Sequence, residues 1–280
     1  MDLGTAWIYA AWFGADGGRG GDTGRRDRIE RIKPAVGGPG GMKPRFVGRL
    51  GVADVVTVAN AMLGFGAAVA ALVDPQLGAR LILLAAIADG LDGVLARRYG
   101  GTPVGEFVDS LADVASFCVA PAVFVFAVAR AEWGLTLSAG DPLGLLAVAL
   151  CGPALYVGAG VVRLAMYTAY DIGSRDTEGV QTTLAATIVT VVYLAGIQRA
   201  AFVLGLTLVF TYLMVTTIEY PELNDSHAVG MGAVQAGAIV APTAFYRVFP
   251  RALLVMAVLY LIGPWFYRRY LVNERADAGA

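Results

Sequence analysis

The 280-residue chain is 57% hydrophobic and only 15% charged, with a mean hydropathy of +0.65 and a formal net charge of -1. Soluble domains run at about 45–50% apolar and about 25% charged, so a single water-soluble globule and a disordered body are both excluded. The missing basic excess excludes a nucleic-acid partner, and two cysteines, Cys118 and Cys151, cannot build a disulfide framework or a zinc cluster. In chain order, residues 1–41 form a Gly- and Arg-rich segment whose one apolar patch, Trp7 to Phe13, is too short to span a bilayer. We expect a flexible tail there, or a true start at Met42. From Gly51 onward, apolar runs long enough to cross about 30 Å of hydrocarbon recur. They predict an all-α, polytopic membrane helix bundle of about eight transmembrane helices, near 51–73, 77–97, 105–130, 143–165, 180–198, 200–218, 228–246 and 250–267. Residues 42–222 read as a transmembrane core, 223–270 as two additional helices, and 271–280 as a polar tail.

Loop charges set the orientation. With the N-terminus inside, Lys43, Arg45, Arg49, Arg97, Arg98, Arg163, Arg175, Arg268, Arg269 and Arg275 collect on the cytoplasmic side. The other side receives only Arg80, Arg130, Arg199, Arg247 and Arg251. That bias follows the positive-inside rule and places both termini in the cytoplasm of a multi-pass cell-membrane protein.

Asp89, Asp92, Asp109 and Asp113 break the apolar pattern of the second and third spans. A carboxylate at bilayer depth costs about 2.5–3.5 kcal/mol on insertion scales, so four require compensation. Asp89 and Asp92 are three apart and Asp109 and Asp113 four apart, which puts each pair on one helix face. The short link Arg98 to Val104, with Gly100, Gly101 and Pro103, stands the two helices side by side. Four facing acids repel unless cations lie between them, and all-oxygen ligation suits Mg2+, Mn2+ or Ca2+ rather than zinc. Two such ions would form the clamp used in phosphoryl and phosphatidyl transfer. Solvated helix-end acids or the ion pathway of a cation transporter are the competing readings; transport would need acids along the whole path, whereas these cluster toward one membrane face.

The run Asp89-Gly90-Leu91-Asp92-Gly93-Val94-Leu95-Ala96-Arg97, followed by Gly105 to Asp113, resembles the signature of the CDP-alcohol phosphatidyltransferases, D-x2-D-G-x2-A-R, a spacer, then G-x3-D-x3-D. The resemblance implies a helix bundle holding two divalent cations, Mg2+ or Mn2+, with Ca2+ able to substitute structurally. It implies Asp89, Asp92, Asp109 and Asp113 as metal ligands, Asp113 as catalytic base, and Asp89, Gly93, Ala96, Arg97 and Thr102 as nucleotide contacts. The donor would be a CDP-lipid and the active site would face the cytoplasm, in a protein expected to be a homodimer. No Ser, Cys or His is placed for covalent catalysis, so the acceptor alcohol is expected to attack directly.

The flanks are similar to the phosphatidylserine synthase branch. They include Asp109 to Ala122, Thr57-Val58-Ala59-Asn60, Val162-Arg163-Leu164-Ala165 and Leu213 to Pro221. This likeness implies L-serine as acceptor. Arg163 is the candidate for its carboxylate, because a guanidinium fork matches a carboxylate; a snorkelling anchor is the alternative. Asn60 lines the same cavity or makes a helix–helix hydrogen bond. Met166 and Tyr167 depart from the branch pattern after Arg163, which leaves glycerol phosphate or inositol phosphate as alternative acceptors. The Arg-rich, Lys-poor composition fits a high-GC genome, and the donor is CDP-diacylglycerol or CDP-archaeol.

Overall fold

A computed structural model describes residues 49–171, 177–220 and 225–277. The expected tail, Met42 and Arg175 lie outside the described residues. Among the described residues eight α-helices follow in order: α1 (Val52–Val73), α2 (Pro75–Tyr99), α3 (Gly105–Trp133), α4 (Leu143–Met166), α5 (Thr182–Leu194), α6 (Ala200–Met214), α7 (Asp225–Val240) and α8 (Ala244–Asp277). Of these, α1, α3, α4 and the Ala244–Gly263 part of α8 are long and apolar enough to cross a membrane. Charges at Arg80, Asp89, Asp92, Arg97 and Arg98 set α2 apart from them, although its 25 residues give ample length. At 13 and 15 residues, α5 and α6 rise only about 20 Å, short of the spans expected at 180–198 and 200–218.

Local chemistry explains the helix ends. The Asp74 side chain accepts from the Gln76 N–H at 2.8 Å, and Pro75 occupies the first helical position of α2, where its missing donor costs nothing. Gly134, at φ 64°, closes α3 in the left-handed conformation that glycine adopts without Cβ strain. α8 opens with Phe245, Tyr246 and Arg247 in left-handed geometry, and the Arg247 guanidinium donates to the Leu194 carbonyl at 2.9 Å.

Burial identifies the centre. Twelve of the thirteen residues of α5 are buried, as befits a helix apolar on all sides and packed around by its neighbours. Ile82 and Leu83 of α2, Phe117 and Phe124 of α3, and Leu184 and Ile188 of α5 make the core. By contrast α1 exposes Val55, Val58, Met62, Phe65 and Val69, a lipid-compatible stripe.

Two features go beyond the expectations drawn from the sequence. Between Asp113 and Ala120, α3 widens into a π turn, Val114–Val119. The segments after α4 and α6 pair as two short antiparallel strands, β1 (Thr177–Glu178) and β2 (Glu219–Tyr220). Tyr220 closes β2 opposite Thr177. The pairing continues through the Gly179 N–H to the Ile218 carbonyl at 2.9 Å.

Candidate active site

α2 and α3 run antiparallel because only residues 100–104 join them, with Gly100 at φ 89° ending α2. One oxygen from each of Asp89, Asp92 and Asp109 lies within 4.8 Å of the others. Asp113 completes the set, its carboxyl within hydrogen-bond reach of Asp89. Asp92 is 5% exposed and Asp113 9%. Asp92 Oδ2 and Asp113 Oδ1 are buried with no hydrogen-bond donor facing them. Leaving a buried polar atom unsatisfied costs about 1–3 kcal/mol, more when it is charged. A cluster of carboxylate oxygens in this state fits a hard divalent cation, so the residues present suit the metal that the motif implies.

The walls of the site come from α1 and α4. The side chain of Thr57 on α1 reaches Asp92. Asn60, one turn on, gives its backbone carbonyl to the Ser116 hydroxyl at 2.8 Å. Its own side-chain amide is fully buried, with both polar atoms unpartnered. A Cβ on Gly64 would lie 2.6 Å from Ser116 Oγ, and one on Gly160 would lie 2.4 Å from Cys118 Sγ. Only glycine lets α1 and α4 close onto α3 at those heights.

The π turn has a covalent cause. Pro121 has no N–H, so the Phe117 carbonyl four residues earlier loses its α-helical donor. The Ala120 N–H bonds five residues back to Ala115 instead. The buried Tyr156 hydroxyl of α4 then donates to the Phe117 carbonyl at 3.0 Å. Thus a proline eight residues after Asp113 sets the widened turn that begins directly after the last carboxylate.

Arg163, 9% exposed, lies near enough to Asp113 to interact electrostatically, and its guanidinium stands 5.2 Å over the Tyr167 ring. Ser110, beside Asp109, shares a 2.7 Å hydrogen bond with the Thr168 hydroxyl, which also reaches the Leu164 carbonyl at 2.8 Å. That tether holds the segment after α4 against the Asp109 turn of α3.

Gly93, Ala96 and Arg97 follow Asp92 along the last turns of α2, with Gly93 and Ala96 half-buried and Arg97 exposed. The Thr102 hydroxyl donates to Asp54 at 2.7 Å. The fold therefore gathers the four aspartates, with Arg163 at Asp113 and Asn60 behind Ser116. Sequence reasoning missed Ser110, Tyr156 and Thr168. Pro121 was the visible sign of the π turn that Tyr156 serves, while the tether joins positions 58 residues apart and left no local sign.

Residues 50–218 match the family model of the CDP-alcohol phosphatidyltransferases. The chain is 30% identical over 188 residues to the archaetidylserine synthase of Methanothermobacter thermautotrophicus, covering 65% of this chain and 72% of that protein. It is 42% identical over 96 residues to the CDP-diacylglycerol–serine O-phosphatidyltransferase of Mycobacterium leprae, covering 34% of this chain and 28% of the relative. The protein of the same name from Mycobacterium tuberculosis is 36% identical over 96 residues, with 34% and 29% covered. The matched segment holds every carboxylate of the cluster, and on the extent of that match the chain belongs to the CDP-alcohol phosphatidyltransferase family.

Proposed function

We propose that the protein transfers a phosphatidyl or archaetidyl group from a CDP-activated lipid to the hydroxyl of L-serine, releasing CMP. The observation that carries this reading is the convergence of Asp89, Asp92, Asp109 and Asp113 with Arg163 placed at Asp113. The names of the relatives, all serine transferases, support serine as the acceptor. The four aspartates hold two divalent cations, Mg2+ or Mn2+, with Ca2+ able to occupy the same oxygens. Bound there, the cations supply charge neutralisation for the donor pyrophosphate and the departing CMP.

The chain's own residues do the rest. Gly93 and Ala96 leave the α2 surface low enough for the nucleotide to lie against it, and Arg97 holds a phosphate oxygen as a charge-assisted pair. Arg163 takes the serine carboxylate, with Asn60 bounding the cavity. Asp113 Oδ1 accepts the serine hydroxyl proton as the new O–P bond forms and the P–O bond to CMP breaks. The protein is a multi-pass cell-membrane homodimer whose site opens to the cytoplasm, a placement supported by the loop charge bias.

The test is a CMP-release assay of the purified full chain with CDP-diacylglycerol and CDP-archaeol against serine, inositol phosphate and glycerol phosphate. Serine-dependent release that needs Mg2+ or Mn2+ is expected. Release with inositol phosphate and none with serine overturns the acceptor assignment.

A further inference from the structure

Asp54 is a fifth carboxylate at this end of the bundle, 3% exposed and outside the family motif. Its Oδ2 accepts two hydrogen bonds, from the Gly51 N–H at 2.8 Å and from the Thr102 hydroxyl at 2.7 Å. The first closes the N-terminus of α1, because Asp54 stands at the third helical position and reaches back to the residue before the helix. The second grips the link between α2 and α3. Its Oδ1 faces Gly105, where an added Cβ would lie 3.1 Å away. An added Cβ on Gly51 would lie 3.1 Å from Thr102 Cγ2, so the link is pressed against the start of α1 as well. The Thr102 carbonyl accepts from the Gly105 N–H at 3.1 Å, which closes the link onto α3 through the same residue.

Three chain segments thus meet on one carboxylate: the start of α1, the link, and the first residue of α3. The link leaves α2 directly after Gly93, Ala96 and Arg97. Asp54 is also near enough to Asp92 for the two charges to interact, so it adds repulsion to a cluster already crowded with acids. Its acceptor-only chemistry suits the place, since the Gly51 N–H and the Thr102 hydroxyl are both donors.

We propose that Asp54 is a positioning residue for the CDP-lipid: it fixes the α2–α3 link through Thr102, and so sets the surface against which the nucleotide lies. In this role Thr102 is the arm of Asp54, its proton directed at the carboxylate. The inference rests on the reading of the protein as a CDP-lipid enzyme and adds a residue to its donor half.

The test uses the purified full chain and the variants Asp54→Ala, Asp54→Asn, Thr102→Val, Thr102→Ser and the Asp54→Ala/Thr102→Val double variant. KM for CDP-lipid, KM for serine and kcat are measured, together with the thermal shift produced by CMP in Mg2+. Loss of the Thr102–Asp54 hydrogen bond, the one that both variants remove, predicts about a tenfold rise in KM for CDP-lipid in Asp54→Ala and Thr102→Val, with an equally weakened CMP shift. The KM for serine and kcat should stay within about twofold, a separation that general loosening of the fold would not produce. Thr102→Ser and Asp54→Asn should recover most of the loss, and the double variant should be no worse than Asp54→Ala. Additive losses in the double variant, or a Thr102→Val defect without one in Asp54→Ala, would overturn the proposal in favour of a direct nucleotide contact by Thr102. An Asp54→Ala protein that changes all three constants together would also overturn it; should that variant not fold, the Asp54→Asn/Thr102→Val double variant decides, since a loss beyond that of Thr102→Val alone overturns the proposal and no further loss supports it. A wild-type protein that binds CMP but ignores serine would refute the acceptor reading alone.

Discussion

Asp92 and Asp113 each present a buried oxygen without a donor, and that shared condition makes their substitutions informative in different ways. Asp113→Asn preserves shape while removing a base and an anion. CMP release should fall by about 10²–10⁴-fold, the usual worth of a positioned general base. In chelator the same variant should be at least as thermostable as wild type, because it relieves like-charge repulsion among four clustered acids. Metal removal gives the complementary measurement. Saturating Mg2+ or Mn2+ should raise the melting temperature of the wild-type protein, by about 2.7 kcal/mol of added stability at a hundred times Kd, and EDTA should abolish the gain. Asp89→Asn should lose most of that shift. Arg163→Lys retains charge but not the guanidinium fork, so it should raise KM for serine while leaving KM for CDP-lipid nearly unchanged. Equal changes in both constants would remove Arg163 from the acceptor half.

Within α3, the proline and the tyrosine that serves it make opposite predictions. Tyr156→Phe leaves the Phe117 carbonyl buried without a donor, which should destabilise the protein by about 1–3 kcal/mol. Pro121→Ala restores an N–H four residues after Phe117 and permits the ordinary helix. The expected result is a protein as stable as wild type, or more so, with reduced CMP release because the turn that follows Asp113 is rebuilt. Thermal melts and activity measured on the same preparations check both statements. A fall in stability for Pro121→Ala would mean that the surrounding helices, and not the missing donor, hold the π turn open.

Across the whole molecule, the C-terminal hairpin is fastened to the core by polar side chains aimed at helix carbonyls. The fully buried Gln235 donates from Nε2 to the Leu83 carbonyl at 2.9 Å, and Arg80 donates to the Ile239 carbonyl. Gln235→Leu removes the first of these, and a loss of about 0.5–1.5 kcal/mol in detergent melts is expected. None of this fastening was legible in the sequence, since a glutamine in an apolar run does not name its partner 152 residues away. The helices and the carboxylate cluster were legible for the opposite reason. Apolar run length and carboxylate spacing are local quantities, and the short link at 100–104 left α2 and α3 one antiparallel arrangement. The 13- and 15-residue extents of α5 and α6 were hidden because apolar loop residues such as Ala195 and Ile197 prolong the hydropathy signal past the helix ends.

The π turn also changes how α3 must be mapped. One extra residue advances the angular phase of a helix by about 100°, so a single wheel drawn through Gly105–Trp133 assigns the wrong faces on one side of Val114–Val119. Cysteine-accessibility scanning should show a regular repeat before the turn and another after it, with a slip of one position between them. Cross-links designed at the Asp109 end and extrapolated to Phe124 without that slip would join side chains that point apart.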